Sequence, residues 1–158
     1  MRIRKRGLGS ALLAAALAVA ALPTPAGAFF ELDFNGHVRQ DPDSYVGFEL
    51  KRTSAGKHRV NFFTTGGIVY TCDDDSTGRT GFLTLDGSLR VKHRRFKGEV
   101  HVLTPSGDPV ARVHGKLHRD HRVANGTIHL IGKLSSTEPS RHCDTGVLEW
   151  RATRGQQG

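Results

Sequence analysis

The stretch that decides the fold lies between Phe96 and Leu134 and contains three runs: FKGEVHV at 96–102, VARVHGKLH at 110–118 and ANGTIHLIGKL at 124–134. In each run, apolar or small residues alternate with charged, polar or histidine residues. A period of two is typical of a β-strand with one buried and one exposed face. The runs therefore predict a three-stranded antiparallel meander with one dry face and one wet, mostly basic face.

The order of turns in this region follows from the same alternation. Between Lys92 and Arg95 the inward positions change from odd to even numbers, so a bulge or a turn must lie there and expose the run 90–97. After Leu117 the chain could reverse at Asp120-His121 or at 125–126. Reversal at Asp120-His121 pairs Leu117 with Ala124 and keeps every inward residue apolar, so we favour it.

The remainder of the chain predicts further strands at 29–38, 45–51, 58–63, 68–72 and 143–153, the last with Gly146, Leu148, Trp150 and Ala152 inward. Turns are expected at 40–44 and 64–67. Asp86-Gly87 is the strongest short hairpin signal, and a two-residue turn there would pair Phe82 with Val91 and Thr84 with Leu89.

Nine or ten strands and no helix are expected after residue 28, a density typical of a compact barrel or a two-sheet sandwich. Inward glycines serve sharp curvature or close approach of backbones, and several are expected here: Gly36, Gly98, Gly115, Gly126 and Gly132. We therefore predict an all-β fold, a small antiparallel up-and-down barrel. A two-sheet β-sandwich is the alternative.

The N-terminal residues have the pattern of a secretory signal peptide. Four basic residues precede an apolar run at 11–22, and Ala26-Gly27-Ala28 supplies small residues for cleavage. We predict a signal at 1–28, a single β domain at 29–158 with a frayed tail at 153–158, and a secreted or periplasmic location. No transmembrane segment is expected after cleavage. Four of the 23 Lys and Arg lie in the signal, which leaves 19 bases against 15 acids, a net charge of +4.

The only two cysteines are Cys72 and Cys143. An even number in an exported chain favours a disulfide between them. The bridge would join the middle of the chain to its last strand.

One resemblance rests on the C-terminal pattern Cys143-x-x-Gly146-x-x-x-Trp150-x-Ala152-x-Arg154, together with an earlier strand-end cysteine and glycine-bearing meander strands. The chain resembles small secreted bacterial β-proteins that lack an assigned activity. The resemblance implies an exported all-β module and gives no catalytic residues.

Signatures of nucleophilic hydrolases are absent from the sequence. We expect no catalytic residues, no cofactor and no enzymatic activity. A secreted hydrolase remains an alternative, because two outward carboxylates could form a glycosidase pair; the outward strand carboxylates are Glu31, Glu49, Glu99 and Glu149. The acidic run 73–78 is expected to be an exposed turn, since Thr84 replaces the glutamate that an EF-hand needs.

Three outer-face histidines on successive strands, His101, His114 and His129, offer a metal-binding alternative. The preferred register places His114 opposite Thr127 and Arg112 opposite His129, which offsets the imidazoles. We therefore expect solvated histidines and no metal.

A basic surface is the main functional candidate. It is predicted to comprise Arg90, Lys92, His93, Arg94, Arg95, Lys97, Arg112 and Lys116. Such a surface attracts polyanions electrostatically, and for an exported protein acidic glycans or lipopolysaccharide are the expected partners, with nucleic acid disfavoured. The predicted function is a non-enzymatic module that binds an anionic envelope or extracellular polymer. The alternative is a small barrel with an apolar ligand in its interior.

Overall fold

A computed structural model describes residues 31–102, 109–135 and 140–155. The predicted signal at 1–28 and the end of the predicted tail, 156–158, lie outside these residues. Twelve strands are described: β1 Glu31–Val38, β2 Asp41–Arg52, β3 His58–Gly66, β4 Val69–Cys72, β5 Thr77–Arg79, β6 Leu83–Asp86, β7 Leu89–Arg90, β8 Arg95–Val102, β9 Val110–Leu117, β10 Val123–Gly132, β11 Cys143–Asp144 and β12 Leu148–Arg154.

Eight of these strands close into an antiparallel barrel in the order β1-β2-β3-β6-β8-β9-β10-β12. Closure is made by β12, which pairs with β10 on one side and with β1 on the other. The prediction of an all-β barrel is therefore confirmed, and the sandwich alternative is wrong. β12 also continues through Arg154, so that Thr153 and Arg154 of the predicted frayed tail at 153–158 belong to the strand.

The meander that decided the fold is formed as predicted. β8, β9 and β10 are consecutive neighbours, and Leu117 pairs with Ala124 across a reversal at Asp120-His121. Burial alternates along β9, with Val113 and Leu117 inside. The face pattern thus specified the register of these three strands.

The change of phase between Lys92 and Arg95 is a tight hairpin turn. The backbones of these two residues exchange both hydrogen bonds, each 2.8 Å from nitrogen to oxygen. His93 and Arg94 have φ of 48° and 63°, and positive φ at both central residues is the feature of a type I′ turn.

The predicted hairpin at Asp86-Gly87 is wrong. β6 and β7 do not pair with each other, since both lie along β3, with Leu85 opposite Phe63 and Leu89 opposite Val60. Between these two pairs, three residues (86–88) lie on the β6–β7 strand and two (61–62) lie on β3. The extra residue makes a bulge, and the chain continues in the same direction along β3. Consequently Leu83 and Leu85 face the core, whereas Phe82 is 69% exposed.

Two further local predictions are corrected. The turn at 64–67 does not make a hairpin, because β3 continues to Gly66 and β4 leaves the barrel to pair with β11 and β5. The last predicted strand is two strands, β11 and β12, and Gly146 between them is exposed with φ of 65° instead of facing inward.

The first turn is also shorter than expected, because β2 begins at Asp41. Ser44 is buried and anchors this segment. Its hydroxyl accepts from the Val38 backbone N–H and donates to the Asp41 carbonyl.

Five aromatic rings occupy the middle of the barrel. Phe48 stacks on Phe34 at 4.7 Å between ring centroids and on Phe63 at 5.7 Å, and it packs at an angle against Phe96 and Trp150. Aromatic side chains of this size dominate the burial energy of a core. They hold the inner face in place while the outer face carries the polar groups.

Candidate anion-binding groove

A groove of about 910 Å³ crosses the outer face of β8, β9, β10 and β12. Beneath it, Phe96, Gly115, Gly126 and Trp150 lie in one row of paired residues. At Gly115, the Phe96 ring fills the space that a Cβ would occupy. At Gly126, the His114 carbonyl and the Trp150 ring fill the corresponding space. The two glycines therefore let the backbones of these strands approach their neighbours closely. The outward-facing rows of paired residues on either side of this row form the walls of the groove.

The side of the groove near β7, β8 and β9 is strongly basic. Five residues of the predicted anion-binding surface line it: Arg90, Lys92, Arg95, Lys97 and Lys116. Within 31–102, 109–135 and 140–155, none of the five forms an ion pair. Arg95 lies directly opposite Lys116, an arrangement of like charges that destabilises a sheet.

Three other members of the predicted surface lie elsewhere. His93 and Arg94 form the tip of the β7–β8 hairpin and do not line the groove. Arg112 donates to Glu99, with 3.0 Å from Nε to Oε2, and borders a separate cavity of about 390 Å³. Its charge is thus partly neutralised.

Sequence reasoning missed the far end of the groove. Arg39, Asn125, Thr127 and Glu149 also line it. Arg39 and Glu149 form an ion pair at 3.7 Å between Nη1 and Oε2. Arg39 and Glu149 meet only because β12 closes the barrel between β10 and β1, a pairing that local alternation does not encode, whereas Asn125 and Thr127 lie on the predicted meander.

The three outer-face histidines do not converge. His114 lies between Lys97 and Thr127 in the groove, whereas the ring Nε2 of His129 is 2.7 Å from Asp144 Oδ1. Burial acts to raise the pKa of Asp144, but the Gly146 N–H and His129 outweigh it, so that the pKa is lowered. In the described part of the chain, no three His, Cys, Asp or Glu residues are placed to hold a metal ion.

All four outward glutamates take part in ion pairs. Glu31 and Glu49 share Lys51, at 2.9 and 3.6 Å from its Nζ. Burial and then the neighbouring Glu31 raise the pKa of Glu49, whereas the hydrogen bond from Lys51 lowers that of Glu31. Glu99 and Glu149 pair with arginines, as described above. This is the charge pairing of a wet sheet face, and none of the three described cavities holds two of these carboxylates.

The acidic residues 73–75 after β4 form an exposed turn, as predicted, whereas Thr77 and Gly78 of the predicted turn belong to β5. Asp74 accepts hydrogen bonds from the backbone and hydroxyl of Ser76 and pairs with Arg141 at 2.9 Å. The Ser76 bonds lower the pKa of Asp74. Its oxygens are therefore engaged in holding the β4–β5 turn to the segment before β11.

The predicted disulfide between Cys72 and Cys143 is present. A bridge of this kind fits a compartment outside the reducing cytoplasm. Within the ranges described, no helix has the length and apolar character needed to span a bilayer.

Comparison of the chain with protein-family models, curated proteins and solved structures finds no match. The resemblance to small secreted bacterial β-proteins therefore stays a prediction. The groove's own chemistry carries the functional argument.

Proposed function

We propose that the protein is an exported, non-enzymatic β-barrel module that binds an anionic envelope or extracellular polymer through the basic groove. The observation that supports this proposal is the set of five cations without acidic partners on one side of a concave surface. Concave surfaces lined by charge of one sign raise the local concentration of the opposite ion.

The opposed pair Arg95 and Lys116 strengthens the argument. Their juxtaposition weakens the β8–β9 pairing in the absence of an anion. A bound anion between the two side chains removes that repulsion. Positions that break a local rule of stability are expected at functional sites.

The filled interior favours this surface over the alternative of an apolar ligand inside the barrel. Five aromatic rings pack against one another in the middle of the core. A ligand at that level would have to displace these rings. Loss of the packing of one such ring is expensive, since truncation of a core Phe or Trp to Ala costs about 3 to 5 kcal/mol of unfolding free energy.

The test is retention on a heparin-like column as salt is raised. The Lys97→Glu/Lys116→Glu double variant should elute at much lower salt than wild type, because it replaces two cations of the groove with anions. The effect is local, since exposed charges act within a screening length of about 8 Å. The matched control is Lys57→Glu/Lys133→Glu, which makes the same change of net charge at exposed residues outside the groove. The proposal fails if both double variants elute together, or if wild type elutes below physiological salt.

A further inference from the structure

The groove has two chemically different halves. One wall row runs Arg95, Lys116, Asn125 across β8, β9 and β10. The other wall row runs Lys97, His114, Thr127 across the same strands. In both rows the residues on β8 and β9 are basic, and the residue on β10 is neutral and polar.

The neutral half presents unused hydrogen-bonding groups. Asn125 and Thr127 are half-buried, and among the described residues their side chains have no hydrogen-bond partner. An amide offers donors and an acceptor, and a hydroxyl offers both roles. These are the groups that recognise sugar hydroxyls.

Beyond the neutral half the two rows continue onto β12, where Arg151 lies opposite Asn125 and Glu149 opposite Thr127. Arg151 does not line the groove, which ends at a neutralised pair. Arg39 lies 3.7 Å from Glu149, so that this end attracts a further anion weakly. A polymer that carries a charge on every unit, such as polyphosphate, would place its charges against neutral groups and Glu149. The groove also offers no aromatic surface on which nucleic acid bases could stack, because Phe96 and Trp150 are buried.

We infer that the groove binds an acidic polysaccharide in which charged and neutral sugars alternate. This inference rests on the proposed function. The carboxylate or sulfate lies among Arg95, Lys97 and Lys116, and the hydroxyls of the adjacent neutral sugar bond to Asn125 and Thr127. Neighbouring strands are about 4.8 Å apart, so β10 lies one strand from β9 and two from β8, a spacing that suits adjacent units of an extended glycan.

The experiment compares two probes by titration calorimetry on the exported protein. One probe is a hyaluronan oligosaccharide, with one carboxylate per disaccharide, and the other is inorganic polyphosphate of matched total charge. Removal of the neutral groups in Asn125→Ala/Thr127→Val should weaken oligosaccharide binding roughly tenfold, as expected for two lost hydrogen bonds, and should weaken polyphosphate binding by a smaller factor, because the cations of the other half hold that probe. Thr127→Ser, which keeps the hydroxyl, should retain most of the affinity and shows that the site is intact.

The outcomes separate the two proposals. If Lys97→Glu/Lys116→Glu abolishes binding of both probes but Asn125→Ala/Thr127→Val has no effect on the oligosaccharide, the inference of alternating sugars is overturned and the anion-binding function stands. Tighter wild-type binding of polyphosphate than of the oligosaccharide also overturns the inference. If wild type binds neither probe, or if the lysine variant binds as wild type does, the proposed function itself is overturned.

Discussion

Cys72 and Cys143 lie directly opposite each other on β4 and β11 and are joined by a disulfide. β11, β4 and β5 form an extension outside the eight-stranded barrel. Only two residue pairs join β11 to β10. The disulfide therefore holds β4 to β11 at the place where few hydrogen-bonded residue pairs join this extension to the barrel.

Removal of the bridge should loosen this extension before the barrel. The disulfide spans 71 residues, so the chain-entropy model predicts that Cys72→Ser/Cys143→Ser loses about 4 kcal/mol of unfolding free energy. Urea denaturation measures the loss, and native-state hydrogen exchange locates it. Because the lost entropy term acts on the unfolded state, exchange should accelerate throughout the fold, and the amides of β4 and β5 should accelerate more than those of β9. Equal acceleration in both places would contradict the separation between extension and barrel.

Gly126 is a position where an added side chain would collide with its neighbours. A Cβ there would collide with the His114 carbonyl, and it would lie 2.7 Å from the Trp150 ring. Gly126→Ala should therefore cost about 1 to 3 kcal/mol of unfolding free energy, the usual range for overpacking. Gly81→Ala is the control, since nothing lies within 4 Å of its added Cβ. Chemical denaturation of both variants checks the prediction, and equal stability would contradict it.

Alternation specified the β8–β9–β10 meander because a shift of one residue would move every apolar side chain to the wet face. The register of Leu117 with Ala124 follows from this penalty. The same reasoning found five of the groove's cations, since they are close in sequence or on neighbouring strands. Arg39 and Glu149 could not be found, because they meet only through barrel closure across about 110 residues.

Local turn signals failed where the barrel demanded another partner. Asp86-Gly87 is a strong hairpin signal in isolation. In the barrel, β3 pairs with β6 and β7 in turn, so that a bulge with Gly87 at φ of 136° serves better than a reversal. Each such failure concerns long-range pairing, which a short sequence window does not contain.

Residues that favour positive φ should stabilise the hairpin tip at His93-Arg94. Both residues adopt left-handed backbone angles, which cost non-glycine residues free energy. His93→Asn/Arg94→Gly is expected to raise the unfolding free energy by about 1 kcal/mol, because Asn-Gly is the preferred type I′ sequence.

The same variant separates the tip from the groove. Neither side chain lines the groove, so that heparin retention should fall far less than in Lys97→Glu/Lys116→Glu. Urea denaturation and column retention of the one protein check both statements. A lower stability would refute the turn assignment, and a loss of retention equal to that of the lysine variant would show that the tip belongs to the binding surface.

Acid should destabilise the fold through His58. Its ring lies 5.9 Å from that of His121, between ring centroids. Burial lowers the pKa of His58, and His121 and Arg52 lower it further. The unfolded chain therefore takes up a proton near the ordinary value of about 6.5, whereas the folded chain does so only at lower pH. The unfolding free energy should fall as pH decreases from about 6.5 toward the folded pKa, and stay level with respect to this group above that window.

The measurement is urea unfolding at pH 7.5 and pH 5.5 for wild type, His58→Gln and His37→Gln. His58→Gln removes the group whose pKa is lowered, so it should lose less stability between the two pH values than wild type does. His37 is exposed on the outer face of β1, and its variant should follow wild type. The other titratable groups, including Glu49 with its raised pKa, are present in wild type and in His58→Gln alike, so the difference between these two proteins isolates His58. The same fall in all three proteins would mean that His58 is not its source.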